Sequence, residues 1–194
     1  LISNKGMGTN LQAIIDGVKS GKINGKIVVV ISDIKKSQGL ERARKYNLPI
    51  AICPKKEHLL AILKKYFPDF ICLAGWKQII TDDVIDAFPN RILNIHPGLI
   101  PNSKIAVVKN PDGTKGLWNK GKLTDSAIKN YFNNHKTYAG SSLHFLTKDF
   151  DFGPVLGRCF EKIKPDDTIT SLYKRLKKKE NKLYVKTLSK LCKR

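Results

Sequence analysis

Arginine is scarce in this sequence, supplying only six of its 36 basic residues. The net charge is nevertheless +20, which raises nucleic acid as a partner. Readers of base edges rely on the planar fork of arginine for two-point contacts. A lysine-built charge therefore points to a solvated basic surface that attracts anionic metabolites, rather than to specific nucleic-acid binding. Long apolar runs are also missing. None approaches the roughly 18 residues that a membrane helix needs, and the opening LISNKGMGTNLQ turns polar at once, unlike a secretory signal. The four cysteines, at 53, 72, 159 and 192, form no CxxC pair. That excludes the usual zinc and disulfide frameworks and fits a reducing cytoplasm.

What is present suits one folded domain over residues 1–194, with 41% hydrophobic and 27% charged residues. The first residues read as the middle of a strand, so a few more are expected upstream. KIVVVIS (26–32), LPIAIC (48–53), DFICLAG (69–75) and RILNIH (91–96) are short runs rich in β-branched residues, as expected of strands covered on both faces. Helical spacing occupies 9–21, 37–46 and 56–67 between them. This alternation predicts an α/β, Rossmann-like fold with a mostly parallel central sheet flanked by helices. SSLHFLT (141–147) and PVLGRCFEKI (154–163) predict two late antiparallel strands. A long C-terminal helix follows, with Asp167 or Thr168 to cap it. Residues 102–140, rich in Gly, Asn and Lys, read as an irregular insertion with a short helix at TDSAIKNYFNN, the kind of segment that forms a lid or binding loop.

Three polar clusters fall where such sheets gather ligands, at the carboxyl ends of strands. SNKGMGTNL places Gly6 and Gly8 in a turn before a helix whose amides at Gly8, Thr9 and Asn10 suit a phosphate; the alternative is an ordinary turn capped by Thr9. A dinucleotide fingerprint is weak here, with Leu11 at its third glycine and Asp33 as the candidate ribose ligand. NIHP puts Asn94 and His96 on one face of a strand that Pro97 ends, leaving His96 at the rim and Ile95 in the core. DFDFGP offers Asp149 and Asp151 at a sharp turn, either into a cleft or bonded to their own backbone. Asp, His and Asn together suit proton transfer and stabilisation of a developing oxyanion, with no metal and no nucleophilic Ser or Cys.

The motifs MGTNLQAIID, GLERARKYNLPI, RILNIHPGLIP and SSLHFLTKDFDFGPVL, in this order, resemble the phosphoribosylglycinamide formyltransferase family of folate-dependent enzymes over nearly the whole chain. The resemblance implies formyl transfer from 10-formyltetrahydrofolate, as cosubstrate, to the amine of glycinamide ribonucleotide in purine synthesis. It implies catalysis by Asn94, His96 and Asp151. It assigns the substrate phosphate to Gly8, Thr9 and Asn10, and a further substrate contact to Glu180 of the KEN motif. Lys77, Gln78, Ile79 and Ile80, with Thr147, Lys148, Asp149 and Phe150, are implied as walls of the folate site. A monomer or homodimer in the cytoplasm, with no membrane partner, is the corresponding expectation.

Two departures stand out. Lys77-Gln78 occupies the place where the family usually carries Met-Arg, so folate recognition is expected to differ. Residues 102–140 are longer than usual and lack a clear K-G-x-H stretch, which leaves the acceptor open. Transfer to a sugar nucleotide or to methionyl-tRNA, hydrolysis of 10-formyltetrahydrofolate, and a basic nucleic-acid-binding module are the alternatives.

Overall fold

The β-branched runs do form strands, but shorter ones than the sequence predicts. In the computed structural model, which describes residues 1–3 and 8–193, the chain divides into two units, Leu1–Asn94 with Tyr184–Arg194, and Ile95–Leu183.

The first unit alternates helices with short strands: α1 (Thr9–Lys19), β1 (Val30–Ser32), α2 (Gln38–Lys45), β2 (Ile50–Ile52), a 3₁₀ turn (Lys56–His58) leading into α3 (Leu59–Tyr66), β3 (Ile71–Leu73) and α4 (Asp82–Ala87). Strand β4 (Ile92–His96) begins in this unit and runs into the next. The pairs β1–β2 and β3–β4 are both parallel, with Val30 opposite Ile50 and Ile71 opposite Ile92. Parallel pairing requires the intervening helices as crossovers, which is why helix and strand alternate.

Only Val30–Ser32 of the predicted 26–32 strand is paired as a strand. A strand exists by virtue of its neighbours. Val30–Ser32 has β2 on one side, and Ile2 bridges Ser32 in parallel. Residues 26–31 border a cavity of about 740 Å³ that Leu1, Ile71 and Leu188 also line. At its end, Leu1 and Ile2 are bonded on both sides: the Leu1 amine donates to the Cys72 carbonyl (2.6 Å), the Ala74 amide to Leu1, and the Ile2 amide to Ile31. Ile2, Leu11, Ile15, Val30 and Leu40 form the core of this unit. Tyr184, fully buried, points its hydroxyl between the carbonyls of Leu73 (3.0 Å) and Leu93 (3.3 Å).

In the second unit α5 (Thr124–Asn133) is followed by the hairpin β5 (Tyr138–Phe145) and β6 (Val155–Lys162). These two strands are antiparallel, with an irregularity between Leu143 and His144. Helix α6 (Ile169–Leu191) belongs to this unit as far as Leu183. Thr168 caps it: its Oγ1 accepts the Ser171 amide at 3.1 Å, and Ser171 returns a bond to the Thr168 amide, a reciprocal cap of the kind Ser, Thr and Asp provide. Ile128, Tyr131, Ala139, Leu172 and Leu176 make the core. Arg175 ties the helix to its surroundings through Asp167 (2.6 Å) and Glu161 (2.8 Å). Two clamped carboxylates on one guanidinium restrict motion more than an isolated surface pair does.

Candidate active site

Strand β4 delivers Asn94 and His96, two residues apart, to one face. Pro97 follows, and the Gly98 amide turns back to the His96 carbonyl at 2.8 Å, so the strand ends at the imidazole. His96 is not at an open rim as the sequence suggests. It is only 2% exposed, because both ring nitrogens are covered. Nδ1 lies 3.3 Å from Asp151 Oδ1, and Nε2 lies 2.7 Å from the Trp118 carbonyl. A carbonyl oxygen and a carboxylate accept but cannot donate. The Trp118 carbonyl thus accepts from one ring nitrogen and the carboxylate faces the other.

Asp151 comes from the turn between β5 and β6, with its backbone in the left-handed region at φ 50°. Few non-glycine residues accept that conformation, Asp and Asn most readily. Its second oxygen, Oδ2, accepts the Gly121 amide at 2.7 Å, and its carbonyl accepts the Trp118 indole N–H at 2.9 Å. Burial pushes the Asp151 carboxyl up, but the hydrogen bond and charge of His96, with the Gly121 amide, outweigh it and hold the group below the usual carboxylate range. Asp149 points elsewhere. It pairs with Lys104 at 2.6 Å, and that hydrogen bond holds its carboxyl down.

His144, on β5, is a neighbour that the motifs do not announce. It is fully buried, with Nδ1 3.0 Å from the Phe145 carbonyl. Burial, then the charge of His96, lowers it from 6.5 to about 4, so it stays neutral at neutral pH.

Glu180 on α6 is 3% exposed. Its Oε1 accepts the Ser141 hydroxyl at 2.7 Å and its Oε2 is paired with Lys177. A buried carboxylate survives only with partners of this kind. Of the remaining loop residues in this unit, Thr147 donates its hydroxyl to the Phe152 carbonyl and accepts the Asp149 amide. Lys148 follows Thr147, and Phe150 is 58% exposed.

In the first unit, α1 begins at Thr9 with Gly8 as its cap residue at φ 65° and no side-chain cap bond. Thr9 is thus the first helical residue, which removes the reading of Thr9 as a capping side chain. A Cβ at Gly8 would sit 3.1 Å from the Gly39 Cα and 3.3 Å from Arg42 Nε, tight contacts that add to the strain of its positive φ. Arg42, a cation not singled out from the sequence, thus lies beside this helix start, bonded to Gln12 Oε1 at 2.9 Å. Asn10 is buried. Gly6 lies outside the described residues. The Lys77 amide donates to Ser3 Oγ, and Gln78 Nε2 donates to the Pro54 carbonyl. Ile79 is 66% exposed, whereas Ile80 is buried. Asp33 Oδ2 accepts the Ser3 hydroxyl.

An imidazole held against a carboxylate, on a strand that carries an amide two residues back, is an arrangement suited to charge stabilisation and proton movement. Residues 1–188 match the formyl transferase family, and the chain belongs to it. A phosphoribosylglycinamide formyltransferase of Haemophilus influenzae is 32% identical across 92% of this chain and 80% of its own length. The chloroplastic phosphoribosylglycinamide formyltransferase of Arabidopsis thaliana is also 32% identical, over 96% of this chain, but the chain spans only 63% of that relative. Among solved structures, glycinamide ribonucleotide transformylase 1 of Symbiobacterium toebii superposes with a TM-score of 0.82 at 31% identity, covering 98% of this chain and 85% of that one. Among the described residues, no helix is long and apolar enough to cross a membrane.

Proposed function

We propose that this chain is a phosphoribosylglycinamide formyltransferase, moving a formyl group from 10-formyltetrahydrofolate to the amine of glycinamide ribonucleotide, a step of purine synthesis. The observation that carries the reading is the His96–Asp151 pair, held at the end of the strand that bears Asn94 in a formyl transferase sequence.

The chemistry follows from these groups. The acceptor nitrogen bonds to the formyl carbon and the carbonyl electron pair moves onto oxygen. Asn94 donates its amide to that oxygen, and the His96 imidazolium supplies positive charge to the tetrahedral intermediate. Nε2 is already engaged by the Trp118 carbonyl, so His96 acts on the developing oxyanion through its charge and not by direct donation. Asp151 keeps the ring charged and oriented, and through water it collects the proton released by the amine. The folate nitrogen leaves with the electron pair of its bond to carbon and takes up that proton.

The start of α1 serves the phosphate through the backbone at Gly8, Thr9 and Asn10, where the helix dipole favours an anion, with Arg42 adding charge. Glu180, already bound to Ser141 and Lys177, presents a buried carboxylate to the ribonucleotide. Folate recognition falls to Lys77, Gln78, Ile79 and Ile80 and to Thr147, Lys148, Asp149 and Phe150; the exposed Ile79 and Phe150 fit a flat, partly apolar ring system. No metal takes part in this scheme, and nucleic acid is not the partner of the basic surface. The chain works as a monomer or homodimer. Four cysteines with no disulfide among them fit a reducing compartment such as the cytoplasm.

The test offers 10-formyltetrahydrofolate with glycinamide ribonucleotide, a sugar-nucleotide amine, methionyl-tRNA or water alone. Formylated ribonucleotide as the dominant product is expected. Formate alone, or formylation of another acceptor, overturns the reading.

A further inference from the structure

Four consecutive residues, Trp118 to Gly121, make four hydrogen bonds to the His96 and Asp151 segments. The Trp118 carbonyl faces His96 Nε2 at 2.7 Å. The Trp118 indole N–H reaches the Asp151 carbonyl at 2.9 Å. The Gly121 amide donates to Asp151 Oδ2 at 2.7 Å, and Asn119 Nδ2 donates to the Pro97 carbonyl at 3.0 Å. The segment therefore grips both partners of the pair and the backbone on either side. None of the four residues belongs to the NIHP or DFDFGP motifs.

We propose that Trp118–Gly121 is a positioning clamp that sets the orientation and separation of the His96–Asp151 pair. The proposal rests on the formyl-transfer reading and assigns further residues to that same site.

Asn119 is the anchor. It is 5% exposed, adopts φ 55°, and accepts Asn130 Nδ2 from α5 at 2.7 Å. A buried amide bonded from both ends fixes its backbone, and the left-handed turn there carries the chain from the Trp118 carbonyl round to the Gly121 amide. The fit is close: a Cβ at Gly98 would fall 1.8 Å from the Trp118 carbonyl oxygen and 2.9 Å from His96 Nε2. Only a glycine after the NIHP proline lets that carbonyl reach the ring. On the other side the Trp118 ring packs against Phe152, centroids 5.7 Å apart, one residue beyond Asp151. A pair set at both ends by one short segment retains its geometry when substrate displaces solvent, which is what an oriented donor needs.

Two variants test this. Trp118→Phe removes the indole donor and keeps an aromatic ring. Asn119→Asp keeps the oxygen that Asn130 reaches and replaces the donor to Pro97 with an acceptor. Both should lower kcat about tenfold, the scale of one lost oriented hydrogen bond, while KM for each substrate stays within about twofold and the folded fraction is unchanged. As a second readout, the Trp118 indole proton should exchange slowly with solvent in the wild-type protein and at least about tenfold faster in Asn119→Asp. Wild-type kcat in both variants, or a fall in rate matched by an equal loss of folded protein, overturns the clamp. So does indole exchange that Asn119→Asp leaves unchanged. Wild-type protein that forms no formylated ribonucleotide overturns the formyl-transfer reading instead, and the exchange measurement then decides the clamp by itself.

Discussion

Under the proposed function the end of β4 and the start of α1 both receive charge, and they are built from different materials. At β4 the work falls to side chains: an imidazole with both nitrogens engaged, a carboxylate in a left-handed turn, and a buried neutral histidine nearby. At α1 it falls to the backbone: a glycine at φ 65° and a helix start with no side-chain cap. The first kind of site is sensitive to side-chain chemistry. The second is sensitive to backbone shape and largely indifferent to what the side chains are.

The largest expected effect sharpens that contrast. Asp151→Asn and Asn94→Ala should each reduce kcat by at least about 10², the usual consequence of removing one group that stabilises developing charge, with the fold intact by circular dichroism. Turnover near wild type in either variant breaks the comparison.

The next effect is on stability. His144 is lowered to about 4 in the folded protein against 6.5 when unfolded, so between these pH values the unfolded chain binds the extra proton. Its contribution is fully present above pH 6.5 and is lost as pH falls toward 4, amounting to roughly 3 kcal/mol at most. Denaturant titrations from pH 7.5 to 4 should show this slope, and His144→Gln should flatten it.

At α1, Gly8→Ala meets both an unfavourable φ and the Gly39 backbone. It should cost about 1–2 kcal/mol in stability and raise KM for the ribonucleotide more than it lowers kcat, as paired initial-rate series would show. Thr9→Ala should do least, changing stability by less than about 0.5 kcal/mol, since Thr9 caps nothing. A loss in Thr9→Ala as large as that in Gly8→Ala, measured by thermal melting, would reverse the assignment of this site to backbone.

The same difference explains what the sequence revealed. Side-chain sites leave signatures. The parity of Asn94 and His96 and the turn holding Asp151 were legible in local residue patterns, and the structure brings His96 and Asp151 into contact. The alternation of strand and helix was legible for a similar reason, since burial on both faces selects β-branched runs. Strand ends were not. The run 26–32 is uniformly apolar and β-branched, yet only Val30–Ser32 pairs, because pairing depends on neighbours that a local pattern does not contain. Trp118 was missed because its contact with His96 is made by a carbonyl, a group that every residue carries. Asn119 was missed because a single Asn in a Gly- and Lys-rich stretch looks like any turn residue. The burial of His96 was missed because its cover comes from residues 22 and 55 positions further along the chain.

The left-handed turn at Asp151 also bears on how the proposed activity could be lost in evolution. The conformations that welcome aspartate there are equally hospitable to asparagine and glycine, each reachable from an aspartate codon by changing one base. A lineage released from selection for turnover could therefore silence its carboxylate without disturbing the hairpin that carries it, leaving a well-folded but inert homologue.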